Sequence, residues 1–145
     1  MKNKILLAGL FCCSLISTEA QVLLDKNAGK NSFPIVSPSA NVVVCFDGKD
    51  ETVVRKSVSL FTDDVRRVTG QDLKAQASNP GEVSARYAII VGTAGKSAWI
   101  DALTAKKKID ITPIAGGWER YMIETVDNPA PGIKKAIVVV GSDRR

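Results

Sequence analysis

Ala136-Ile-Val-Val-Val140 is an unbroken apolar run, mostly β-branched, near the last residue of the 145-residue sequence. Such a run, with no polar alternation, reads as a strand buried on both faces and therefore needs a layer above it and another below. Helices on a sheet supply those layers, so the expected class is α/β, a mixed β-sheet with helices packed on it. Gly141, Ser142 and Asp143 make a turn after the run, and Arg144 and Arg145 follow. A strand covered on both faces normally continues through a turn into a covering helix. The sequence thus reads as a domain incomplete at its C-terminal edge, taken from a longer protein.

The N-terminus reads as a targeting segment. Lys2 and Lys4 precede an apolar stretch from Ile5 to Ile16, and Thr18-Glu19-Ala20 places small residues suitably for cleavage before Gln21. Twelve residues are too few to span a bilayer as a helix. Residues 1–20 are therefore expected to be a signal peptide of a secreted or periplasmic protein. Leu10-Phe11 before Cys12 argue against a lipoprotein signal, so no membrane anchor is expected. Cys12 and Cys13 leave with the signal. Cys45 remains alone inside Val42-Val-Val-Cys-Phe46, where it reads as core, and stability must come from packing rather than a disulfide. Without Lys2, Lys4 and Glu19 the formal charge falls from +5 to +4. The basic clusters Lys106–Lys108 and Arg144–Arg145 are not interleaved with aromatics, so no nucleic-acid partner is expected.

Residues 21–40 read as a lead-in, with Phe33 to Val36 a possible edge strand. Residues 41–145 form the α/β domain. Asn41 to Phe46 is its first strand, and Asp50 is placed to cap the helix that follows. Val54, Val58, Phe61, Val65 and Val68 recur at steps of four and three, one stripe of an amphipathic helix that Gly70 ends. Asp72 to Gln76 reads as a short strand and Tyr87 to Val91 as a second core strand. A short helix, Ala98 to Ala105, carries Trp99, Ile100 and Leu103. Ile109 to Gly117 reads as a loop or broken strand. Glu119 to Val126 alternates like a half-buried strand, and Asp127 to Gly132 turns the chain into the last strand.

Few residues are arranged for chemistry. Gly95-Lys96-Ser97 looks like the end of a phosphate loop, but Ile90 stands where that motif needs its first glycine. A tight turn from strand to helix is the simpler reading, although Gly92–Ser97 would still border a crevice at the carboxyl end of the sheet. Asp63 and Asp64 are neighbours on a helix and do not converge. Glu119 and Glu124 would face opposite sides of one strand. The chain has no histidine, so neither a metal site nor a thiol–base pair is suggested, and no cofactor is expected. Trp99 reads as core, whereas Trp118, after Gly116-Gly117, is a candidate ligand contact. Arg144 and Arg145 could bind an anion, but interdomain ion pairs are the favoured reading.

A secretory signal, Ile89-Ile-Val-Gly-Thr-Ala-Gly-Lys-Ser97, Gly117-Trp-Glu-Arg-Tyr121 and Val140-Gly-Ser-Asp-Arg-Arg145 occur here in one order. That order resembles the N-terminal domain of the xylan α-1,2-glucuronidases of glycoside hydrolase family 115, from about Asn41 to Arg145. The resemblance implies a non-catalytic accessory domain ahead of a (β/α)8 barrel that removes glucuronic acid or its 4-O-methyl ether from xylan. Its partners would be that barrel, in the same polypeptide, and glucuronoxylan through the whole enzyme. The inverting acid and base would belong to the barrel, so no catalytic residue is named here. Gly92, Thr93, Lys96, Trp118, Ser142, Asp143, Arg144 and Arg145 would lie at the domain interface or cleft rim. The alternative is a free-standing secreted carbohydrate-binding or adhesion module.

Overall fold

A computed structural model describes residues 32–37 and 39–143. The signal segment, most of the lead-in, and the candidates Arg144 and Arg145 lie outside the described residues. The elements run β1 (Val42–Phe46), α1 (Thr52–Thr69), β2 (Lys74–Ala77), β3 (Ala85–Thr93), α2 (Ala98–Ala105), β4 (Tyr121–Ala130) and β5 (Ile133–Gly141). The five strands form one sheet in the order β2-β1-β3-β5-β4. β1 is parallel to β2 and β3, β3 is parallel to β5, and β4 is antiparallel to β5. The expected mixed α/β architecture is therefore present.

Alternation along the strands sends side chains to two separate cores. On one face Val43, Cys45, Ala88, Ile90, Ala136, Val138 and Val140 pack beneath α2, which contributes Trp99, Ile100 and Leu103. Ile109 and Ile114 complete that cover, so the segment expected to be a loop or broken strand is a turn-rich lid with two core residues. On the other face Val42, Val44, Phe46 and Ile89 pack under Val54 and Val58 of α1. Phe33 adds an edge-on ring contact with Tyr87, their centroids 5.5 Å apart. Residues 33–36 do not form the expected edge strand, and Ile35 and Val36 are a bend. Pro34 has no backbone N–H for a ladder, which suits this arrangement.

Three further expectations need correction. Asp50 does not cap α1: Glu51 holds the cap position, without a side-chain hydrogen bond. The stripe of α1 is buried only in its first half. Val54 and Val58 are covered, whereas Phe61 is on the border of exposure and Val68 is 85% exposed. The helix overruns the sheet face it sits on, and periodicity alone cannot report the length of its partner. Gly70 does end α1 as expected, in the left-handed region at φ 70°, donating its N–H to Arg66 O at 2.8 Å. The hairpin is also longer than expected. β4 extends to Ala130 through an irregularity between Asp127 and Ala130, and the reversal is confined to Pro131 and Gly132.

The opening apolar run is β5, and it lies between β3 and β4 rather than at an edge. Ala136, Val138 and Val140 are completely buried under α2 and the lid. Ile137 and Val139, on the α1 side, are only half-buried. Because α1 covers β1 and β3, the run expected to be covered on both faces is fully covered on one.

Candidate functional site

The chain reverses its winding direction at β1: β2 is added on one side and β3 on the other. In open α/β sheets the carboxyl ends of two such strands border the usual ligand crevice. Here that crevice is crossed by two carboxylates. Asp47, just after β1, accepts the N–H of Lys49 at 2.8 Å on one oxygen and that of Ala98 at 2.9 Å on the other. Ala98 opens α2, so the carboxylate lies at the positive end of that helix dipole. The Ala98 bond, followed by that from Lys49, holds the Asp47 carboxyl below its ordinary pKa against the opposing effect of burial. Asp50 accepts Glu51 N–H at 2.7 Å and reaches across to Thr93 N–H at 2.9 Å.

These two acids settle the phosphate-loop question physically. The place at which α2 would hold an anion is filled by the chain's own carboxylate. Gly92 faces inward as well. A Cβ there would lie 2.5 Å from Ser97 Oγ and 2.7 Å from Ile100 Cγ1, so the glycine permits α2 to approach β3. The tight strand-to-helix turn is shorter than expected, Ala94–Ser97, because Gly92 and Thr93 are still in β3. Gly92 and Thr93 are buried, and Lys96 is exposed beside them. Sequence reasoning missed Asp47 and the cross-strand bond of Asp50. An aspartate directly after a central strand, opposite a helix start, was the available signal.

A second cluster forms further along the same end of the sheet. Thr93 and Gly141 are register partners, and Ala94 donates its N–H to Gly141 O at 2.9 Å. Ser142 N–H donates to Arg120 O at 2.8 Å, and Arg120 N–H donates back to Ser142 Oγ at 3.0 Å. Glu119 N–H donates to Asp143 Oδ2 at 3.2 Å. Glu119 adopts φ 55°, a left-handed conformation that costs a non-glycine residue on the order of 1 kcal/mol. That twist presents two successive N–H groups to Ser142 and Asp143. Arg120 also reaches Pro113 O at 3.2 Å, anchoring this loop to the lid. Glu119 precedes β4, so it does not share a strand with Glu124.

Among the sequence candidates, the structure thus brings together Thr93, Ser142 and Asp143, with Trp118 next to Glu119. Trp118 is 67% exposed and Tyr121 is 72% exposed, so the cluster carries two surface aromatics. Trp99 is completely buried, as expected, and its indole N–H donates to Ser78 O at 2.7 Å. Asp63 and Asp64 make exposed ion pairs with Arg66 and Arg67. Cys45 is fully buried, and burial pushes its thiol up to about 11, with Ser78 pulling slightly the other way. The other shifted acids, Glu82 and Asp110, are held low by Asn79 and Thr112 respectively. A glycosidase general acid needs the opposite shift. Among the described residues no three His, Cys, Asp or Glu side chains group as metal ligands would, and no helix is long and apolar enough to cross a membrane.

No family model matches the chain, and no curated protein matches it. Among solved structures, the chain is similar to part of BtGH115A, a family GH115 4-O-methyl-α-glucuronidase with specificity for decorated arabinogalactans. The identity is 26% and the TM-score 0.49, over 72% of this chain. The chain spans 12% of that enzyme's length.

Proposed function

We propose that this chain is the N-terminal, non-catalytic domain of a secreted glycoside hydrolase that removes glucuronic acid or its 4-O-methyl ether from xylan. One observation carries the reading. Three sequence segments that resemble the family 115 domain, separated by some twenty residues each, meet at one end of the sheet: the end of β3, the loop before β4, and the turn after β5. Main-chain bonds hold the three segments together, and a rigid rim of this kind suits docking against a catalytic barrel. Trp118 and Tyr121 supply apolar area on that rim. Asp47 and Asp50 spend their oxygens on backbone N–H groups, which favours a scaffold over a catalyst.

The test has two parts. The 145-residue chain, incubated with glucuronoxylan, is expected to release no glucuronic acid by chromatographic assay. The coding sequence beyond Arg145 is expected to continue in frame through repeated strand–helix units. Turnover by the chain alone, or a stop codon directly after Arg145, would overturn the proposal.

A further inference from the structure

On the α1 side the sheet carries an open, almost wholly apolar slot of about 310 Å³. Strand register builds its floor: Ile89 stands next to Ile137, and Val91 next to Val139, which in turn faces Ile123. Val58 and Phe61 of α1 form one wall, and Ser57 is the one polar residue among the described residues that line the slot. The remaining lining residue, Ile35, comes from the lead-in ahead of β1. A small-molecule site of this size would normally offer convergent polar groups, so the slot suits an apolar occupant.

We propose that the slot is filled by the chain's own Val22-Leu23-Leu24, the apolar segment at the start of the lead-in. Continuity is the first argument. The lead-in already lies against this face: Phe33 sets its ring edge-on to Tyr87, and Ile35 packs on the core cluster that contains Val58 and Ile89. Tyr87 is two residues before Ile89 on the same face of β3, so Phe33 is anchored beside the slot floor. Reach is the second argument. Residues 25–32, eight in all, separate Leu24 from Phe33. The nine steps from Leu24 to Phe33 span up to about 30 Å of extended chain. The floor from Tyr87 to Val91 is about 13 Å long. The surplus leaves room for a reversal, and Asn27, Gly29 and Asn31 are residue types that favour turns.

Composition is the third argument. Val22-Leu23-Leu24 is bounded by Gln21 on one side and by Asp25-Lys26 on the other, and Ala28 is the one apolar residue between Leu24 and Phe33. An aliphatic run gains by leaving water, and the slot offers half-buried Ile137 and Val139 beside Ile123, which is 48% exposed. Tethering is the fourth. A short linker holds the segment at an effective concentration on the order of millimolar, which a second copy in dilute solution does not match. Docking closes the second core from within the chain, and it holds whether or not the chain belongs to a glycoside hydrolase.

The test uses the chain from Gln21, the expected mature start, which keeps every described residue. Leu23→Asp combined with Leu24→Asp is expected to bind several times more of the apolar dye anilinonaphthalene sulfonate than the unsubstituted chain, and to unfold at lower urea. Position is read by Val22→Cys, Leu23→Cys or Leu24→Cys, each combined with Ile123→Cys. Mild oxidation is expected to close an intramolecular disulfide in at least one of the three, with Cys45 buried and out of reach. Unchanged dye binding in the aspartate variant overturns the proposal, as does failure of all three pairs to close. A disulfide that joins two chains on a non-reducing gel also overturns it, because a second copy would then be the occupant. Neither readout depends on glycosidase activity.

Discussion

Replacing Asp47 with alanine removes the carboxylate that joins the end of β1 to the start of α2. The residue is 8% exposed, and its carboxylate accepts two main-chain N–H groups, from Lys49 at 2.8 Å and Ala98 at 2.9 Å. Hydrogen bonds to a charged acceptor contribute about 1.5–3 kcal/mol each. Lys49 is exposed and water can satisfy its N–H, so the Ala98 bond should dominate. Asp47→Ala is therefore expected to cost about 2–3 kcal/mol. Asp47→Asn keeps an acceptor but loses the charge facing α2, for a cost of about 1–2 kcal/mol. The pH dependence has a definite sign. The folded-state pKa of Asp47 is depressed, so the unfolded chain takes up its proton first as the solution is acidified. The stabilisation is complete above the ordinary carboxylate pKa and is lost as pH falls through the lower folded value. Urea unfolding, followed by tryptophan fluorescence from neutral pH to about pH 3, should show the gap between wild type and Asp47→Asn closing in acid. An alanine variant within about 0.5 kcal/mol of wild type, or a gap that stays constant in acid, would refute the reasoning.

Gly92→Ala places a methyl group 2.5 Å from Ser97 Oγ and 2.7 Å from Ile100 Cγ1, forcing α2 from β3 at a cost of about 1–3 kcal/mol. Adding Ser97→Gly should recover part of the loss, and an unchanged urea midpoint for Gly92→Ala alone would contradict the packing argument. Cys45, fully buried with its thiol pushed up to about 11, should resist iodoacetamide in the native chain and react once urea unfolds it. Rapid labelling of folded protein would show that β1 opens readily.

Much of the local structure is legible in the sequence. Val54 and Val58 at helical spacing, with Gly70 behind them, describe α1 because periodicity and a left-handed stop are properties of the local chain. Val42–Phe46 and Ala136–Val140 announce core strands for the same reason. The candidate site was legible only in part. Ser142 and Asp143 drew notice as a turn, but their bonds to Arg120 and Glu119 connect positions more than twenty residues apart. Asp50 looked like a helix cap because Ser, Thr, Asn and Asp in front of a helix usually are. Its oxygen instead goes to Thr93 N–H, forty-three residues away.

Residue pattern alone located the two helices and the core strands of β1, β3 and β5, but not the bend at Ile35–Val36 or the length of β4. The fold decided where their faces go. β5 enters between β3 and β4, α1 covers β1 and β3 and leaves Ile137 and Val139 half open, and Asp47 fills the position at which α2 would bind an anion. Secondary-structure signals arise from neighbours in the chain, whereas strand order, helix cover and cross-sheet hydrogen bonds depend on contacts between distant residues. The run at Ala136–Val140 shows the division plainly. Its composition called for two covered faces, and the tertiary arrangement provides full cover for one, with an open apolar slot on the other.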